Sequence, residues 1–273
     1  MHEAHYLTID GRLSFVEVFG EGGPDVLCVH SAGQSGVQYR YAAPEIARLG
    51  YRVIVADMPG HGRTEPAADG PVADLGMYSD WSLRVLDLFG ATRPYLIGCS
   101  IGGAIVMDMA VKAHTRLAGV VAMAAADSRI VHPNGVRPLV LEDSGAPSIR
   151  DRTYYGGLVS SGRLVPPDRA ELIALMHCRE DWHVTFADGT AQGRLDLWDQ
   201  LPSITCPVVV VAGEDDPFIP HHLIRQTAQR IPTATYELLE GYGHYPMEEL
   251  PDFAQRFDGW VKHMSARGET VMP

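Results

Sequence analysis

The chain has 273 residues, 46% of them apolar and 21% charged, with a formal net charge of −12; that is the composition of a globular protein with one large core. The acidic balance supplies no basic face for nucleic acid or an anionic membrane, and no apolar run reaches the ~18 residues of a spanning helix. The start, Met1-His2-Glu3-Ala4-His5, lacks a secretory pattern, and Cys28, Cys99, Cys178 and Cys206 are scattered like apolar filler, so a reducing, cytoplasmic setting is expected.

In chain order, His5–Ile9 and Leu13–Phe19 alternate around Asp10-Gly11, which predicts a tight hairpin. Asp25–His30 is a short apolar strand running into Ser31-Ala32-Gly33-Gln34. Pro44–Leu49 ends a helix at Gly50, and Tyr51–Ala56 is a strand that runs into Asp57-Met58-Pro59-Gly60-His61-Gly62. Tyr78–Phe89 has helical spacing and stops at Gly90. A buried strand from Pro94 then meets Gly98-Cys99-Ser100-Ile101-Gly102-Gly103, with the helical run Ala104–Ala110 directly after it. Leu117–Ala124 is a further strand. Pro207–Ala212 and Ala234–Leu239 are strands too, with helices over Ile224–Ile231 and Asp252–His263.

This alternation predicts an α/β fold in which a mostly parallel sheet carries helices on both faces. Ligands in such sheets bind at the carboxyl ends of the strands, where His30, Asp57 and Ser100 all fall. From Asp127 to Leu201 the rhythm breaks. No apolar strand is visible there, Pro133, Pro138, Pro147, Pro166 and Pro167 interrupt it, and helical spacing shows only over Pro167–Cys178 and weakly over Gln192–Leu201. The expectation is a core of residues 1–126 and 202–273 under a cap formed by 127–201.

A strand-to-helix turn through Gly-x-Ser-x-Gly lifts the central hydroxyl out of the sheet edge at a helix N-terminus. Ser100 is therefore the candidate nucleophile. It needs a base and a group to orient that base. Later strand ends supply Gly213-Glu214-Asp215-Asp216-Pro217 and Glu240-Gly241-Tyr242-Gly243-His244-Tyr245.

The order Ser…Asp…His, with the elbow, Asp57-Met58-Pro59-Gly60-His61-Gly62 and Gly243-His244, resembles the α/β-hydrolase fold family over nearly the whole chain outside the cap. The resemblance implies an eight-stranded sheet, Ser100 as nucleophile, His244 as base and an acid third after the strand-ending glycine. That spacing selects Asp216, with Asp215 the competitor. It also implies an oxyanion hole from the backbone N–H groups of Ile101 and Ala32. Ser31 stands where the family expects glycine; its hydroxyl either adds a donor near substrate or satisfies the turn. His30, Asp57 and His61 read as groups that fix loops, Cys99 as core, and His221 and His222 as the first turn of a helix.

No zinc spacing emerges from His2-x-x-His5 or from His177-Cys178 with Asp181 and His183, and no G-x-G-x-x-G follows a strand, so neither metal nor cofactor is expected. A serine at the elbow argues against the dehalogenases and epoxide hydrolases of this family, which carry aspartate there. Acyl transfer to water remains. In the cap, Tyr154, Tyr155, His177, Trp182, His183 and Trp198, with Arg150, Arg152 and Arg179, suit a small aromatic or carboxylated substrate. Tyr155, Trp182, Ser31 and Tyr245 are the binding candidates, with Met247 beside them.

The leading expectation is a hydrolase of small carboxylic esters or lactones, monomeric or homodimeric. A C–C hydrolase of ring-cleavage products is the alternative, though Ser31-Ala32-Gly33-Gln34 is not that subgroup's glycine run. A non-catalytic receptor for a small ligand on the same fold is the third.

Overall fold

In the computed structural model, which describes residues 1–132, 149–179 and 181–269, eight strands form one sheet. β1 (His2–Ile9) and β2 (Arg12–Phe19) turn through Asp10 at φ 52° and Gly11 at φ 75°, the left-handed pair that a two-residue hairpin requires. The other strands are β3 (Asp25–Val29), β4 (Arg52–Ala56), β5 (Tyr95–Cys99), β6 (Gly119–Met123), β7 (Val208–Gly213) and β8 (Ala234–Leu239). Their spatial order is β1-β2-β4-β3-β5-β6-β7-β8. β2 runs antiparallel to β1 and β4, and every other neighbouring pair is parallel.

The helices are α1 (Ala42–Arg48), α2 (Leu75–Leu88), α3 (Ile101–Ala113), α4 (Ser128–Val131), α5 (Ile149–Val159), α6 (Pro167–His177), α7 (Trp182–Arg194), α8 (His221–Gln229), α9 (Pro246–Glu249) and α10 (Phe253–Glu269). Strand side chains alternate between two cores. Ile54, Leu96, Val208 and Val210 meet α2, α3 and α8 on one face, while Val53, Ile97, Val209 and Val211 meet α1 and α10 on the other. Because both faces are covered, the central strands read as unbroken apolar runs. Among the described residues no helix is long and apolar enough to cross a membrane.

Between β6 and β7 the chain carries α4 to α7 and, among the described residues, no strand. Pro133, Pro138 and Pro147 of the expected cap, and the side chains of Arg150 and Arg152, lie outside the described residues. The weak helical reading over 192–201 is corrected. The helix is α7, which ends at Arg194, and a single 3₁₀ turn follows at Leu201–Ser203. α5 and α7 escape a periodicity reading because glycines interrupt them, each a penalty of about 1 kcal/mol in a helix interior. At Gly157 the reason is packing: a Cβ there would stand 2.8 Å from Ala174 Cα on α6.

Candidate active site

Ser100 joins β5 to α3 at φ 59° and ψ −120°, a left-handed conformation rare for a side-chain-bearing residue. The glycines around it make the turn possible. A Cβ at Gly98 would lie 2.1 Å from Gly102 O, and one at Gly102 would lie 2.4 Å from Val29 O. The Ser100 N–H donates to Met123 O at 2.9 Å, pinning the elbow to β6. Cys99 points the other way, fully buried, with its thiol 3.1 Å from His244 O.

His244 follows β8 and is buried. Its Nδ1 lies 2.7 Å from Asp216 Oδ2, and Asp216 Oδ1 accepts the N–H groups of Phe218 and Ile219 at 2.8 and 3.1 Å. A buried carboxylate is tolerated when its oxygens are spent in this way. Asp215 faces elsewhere: its carboxylate takes the Arg163 N–H at 2.8 Å and the Arg163 guanidinium at the surface. Asp216 is therefore the carboxylate against the imidazole.

Ser100 and His244 line one cavity of about 510 Å³, together with Ala32, Trp182 and Tyr245. Ile101 is the first residue of α3, directly after Ser100, and Ala32 follows the end of β3, the strand paired with β5. His177, Thr185, Phe186, Gly189, Gln192 and Phe218 complete much of the wall. Among the described lining residues there is no lysine, arginine, aspartate or glutamate.

Several expected binding residues are not on that wall. Tyr155 is 61% exposed on the outer side of α5, whose Thr153, Gly156 and Gly157 face the cavity instead. Ser31 is buried, its hydroxyl given to Cys99 O at 3.2 Å, so it satisfies the turn. Met247 is buried in the core beneath α10. Trp198 lies under the Arg230 guanidinium, Arg179 borders a separate pocket of about 240 Å³, and Tyr154 and His183 are absent from the lining.

The loop histidines and Asp57 hold backbone. His30 donates from Nδ1 to Ser31 O at 2.9 Å and accepts the Met58 N–H at 3.0 Å on Nε2. Burial and the neighbouring His61 push its pKa down to about 4. Asp57 takes the N–H groups of Gly36 and Arg63 and the Arg63 guanidinium.

Sequence reasoning missed Glu249. Buried on α9, it accepts the N–H groups of Gly162, Gly243 and Tyr245 at 3.1, 2.6 and 2.9 Å, and so grips both sides of His244. Burial nevertheless pushes its carboxyl up. The one signal was an acidic pair, Glu248-Glu249, four and five residues after the histidine in a stretch otherwise apolar.

The family model for the alpha/beta hydrolase fold matches residues 24–251. The chain is 32% identical to the "Magnesium-chelatase 30 kDa subunit" of Rhodobacter capsulatus, over 84% of each sequence. It is 25% identical to the pimeloyl-[acyl-carrier protein] methyl ester esterase of Aeromonas hydrophila, over 91% of this chain and 97% of that one. In structure it matches Est816, described as an N-acyl homoserine lactone degrading enzyme, at a TM-score of 0.75 and 24% identity. That match covers 93% of this chain and 99% of the other and speaks to the fold alone.

Proposed function

This chain belongs to the α/β-hydrolase fold family, and from that premise we propose that it hydrolyses small-molecule carboxylic esters or lactones through a covalent acyl-enzyme. The observation that carries the reading is the 2.7 Å contact of His244 Nδ1 with Asp216, on an imidazole that shares its cavity with Ser100.

Ser100 Oγ attacks the acyl carbon while His244 Nε2 takes its proton, and Asp216 holds the Nδ1–H and steadies the imidazolium. The carbonyl electron pair moves onto oxygen, where the N–H groups of Ala32 and Ile101 receive the negative charge. Collapse of the tetrahedral adduct breaks the bond to the leaving oxygen, which departs with the proton from His244. Water then enters, gives its proton to the same imidazole and attacks the acyl-Ser100 ester. A second collapse returns the proton to Ser100 Oγ and frees the acid.

The wall of Trp182, Phe186, Phe218 and Tyr245, with no charged carboxylate or ammonium partner among the described lining residues, favours a neutral aromatic or aliphatic substrate over a carboxylated one. In this reading 127–201 is the cap, which contributes Trp182 and Phe186 to that wall, while Phe218 and Tyr245 come from the core segment after β7.

The test is pre-steady-state turnover of a short-chain p-nitrophenyl ester by wild type, Ser100→Ala and His244→Ala. A burst in wild type and a loss in kcat on the order of 10⁴–10⁶ in each variant are expected. Turnover unchanged in Ser100→Ala overturns the reading. So does an enzyme that ignores esters and lactones yet cleaves a vinylogous 1,5-diketone in a Ser100-dependent way.

A further inference from the structure

Asp188 lies on α7, within the stretch between β6 and β7, and its side chain is fully buried. Three donors from three other parts of the chain converge on it. Tyr78 Oη of α2 donates to Oδ1 at 3.0 Å. His61 Nε2, from the loop after β4, lies 2.9 Å from Oδ2, and the Gly33 N–H donates to the same oxygen at 3.1 Å. The other His61 nitrogen is 3.2 Å from Pro59 O, so the ring faces an acceptor on each side.

The third donor sets this cluster apart from an ordinary buried ion pair. Gly33, at φ 65°, belongs to the turn after β3, which the Gln34 N–H closes onto Ser31 O at 3.2 Å. At its near end the turn is tied to the core: the Ser31 N–H donates to Gln38 Oε1 at 2.9 Å and the Ser31 hydroxyl to Cys99 O. At its far end two side chains meet it: Asp188 takes the Gly33 N–H, the backbone group next to Ala32, and the Gln34 amide nitrogen lies 3.2 Å from His177 Nδ1. Ala32 sits between the two anchors.

We propose that Asp188 is a positioning residue, by which the insertion between β6 and β7 sets the turn that presents the Ala32 N–H to the oxyanion. The inference rests on the acyl-enzyme reading of Ser100 and Ala32. α7 also lines the cavity through Trp182, Thr185, Phe186, Gly189 and Gln192. One rigid helix thus forms substrate-facing wall and, from its buried side, sets the anion-binding turn. Donors preorganised for a transition state lose most of their value when displaced by about 1 Å, a change worth on the order of 10²-fold in rate. Ground-state binding by the same wall is touched far less.

The experiment measures kcat and KM for a p-nitrophenyl ester in wild type, Asp188→Ala, Asp188→Asn, Tyr78→Phe and Ser100→Ala. Asp188→Ala is expected to lower kcat about 10²-fold with KM within about threefold. Asp188→Asn is expected to recover most of that loss. Its amide oxygen can accept from Gly33 and His61 while its NH₂ donates to Tyr78 Oη. Tyr78→Phe loosens the same cluster without touching Gly33 and is expected to lower the melting temperature while leaving kcat near wild type. If Asp188→Ala does not fold, Asp188→Ser, polar but too short to reach Gly33, is held to the same outcomes.

An Asp188→Ala kcat close to wild type overturns the inference, as does a Tyr78→Phe variant that loses kcat to the same extent. Those results beside an inactive Ser100→Ala leave the acyl-enzyme reading standing. An active Ser100→Ala overturns both.

Discussion

Asp216 Oδ2 stands 2.7 Å from His244 Nδ1 while the same carboxylate's Oδ1 takes two backbone N–H groups, so the imidazole is aimed by a group that cannot itself turn. Asp216→Asn is expected to lower kcat by about 10⁴ while the fold persists, because an amide NH₂ facing Nδ1 selects the wrong tautomer. Asp215→Asn, which trims a surface pair with Arg163, is expected to leave kcat unchanged. Steady-state kinetics on the two variants, with circular dichroism to verify folding, checks the contrast.

Two glycines in the same molecule should respond in opposite ways to a side chain. At Gly98 even a methyl group would collide with Gly102 O, and Gly98→Ala is expected to destabilise the protein by about 3 kcal/mol or more. At Gly156 a Cβ meets nothing within 4 Å, and the residue lines the cavity. Gly156→Phe is expected to keep the melting temperature and to discriminate against bulky acyl groups. Urea titration reads the first, and kcat/KM over an ester chain-length series reads the second.

Acid should weaken the fold through His30. Its folded pKa, about 4, lies below the ordinary 6.5, owing to burial and then to His61, and against the opposing pull of Asp57 and Asp188. The unfolded chain therefore takes up this proton first as pH falls. The stabilisation is complete above pH 6.5 and is lost progressively between 6.5 and 4, by about 3 kcal/mol in all. Urea unfolding across that window is expected to lose about one proton's worth of slope in His30→Gln, whose amide can still donate and accept. An unchanged slope would count against this origin.

Glu249→Gln replaces one of the oxygens that receive Gly162, Gly243 and Tyr245 by a donor, leaving a buried N–H unpaired at a cost of about 1–3 kcal/mol. Because two of those groups flank His244, kcat is expected to fall about tenfold with KM nearly constant. Thermal melting together with steady-state kinetics reads both effects.

How much of this could be read from sequence follows from range. The hairpin at Asp10-Gly11, the buried strands and the elbow are local patterns whose causes lie within a few residues. Asp216 was reachable because its place relative to Gly213 is local too. Helices α5 and α7 were hidden because glycines interrupt their periodicity, and at Gly157 the missing side chain serves a contact with another helix, α6. Tyr155 was mistaken for wall because an aromatic residue in sequence does not say which side of its helix faces the cavity. Asp188 was invisible: its partners, Gly33, His61 and Tyr78, lie more than a hundred positions away.

The insertion departs from β6 and returns at β7, and the sheet pairs those two strands side by side. Its two roots are therefore neighbours on a rigid floor. A shorter or longer insertion can be grafted at that gap without shifting the register of β5, β7 or β8, which carry Ser100, Asp216 and His244 at their ends. The cavity wall that α7 contributes can thus be altered as one contiguous block of chain, apart from the strands that hold Ser100, Asp216 and His244.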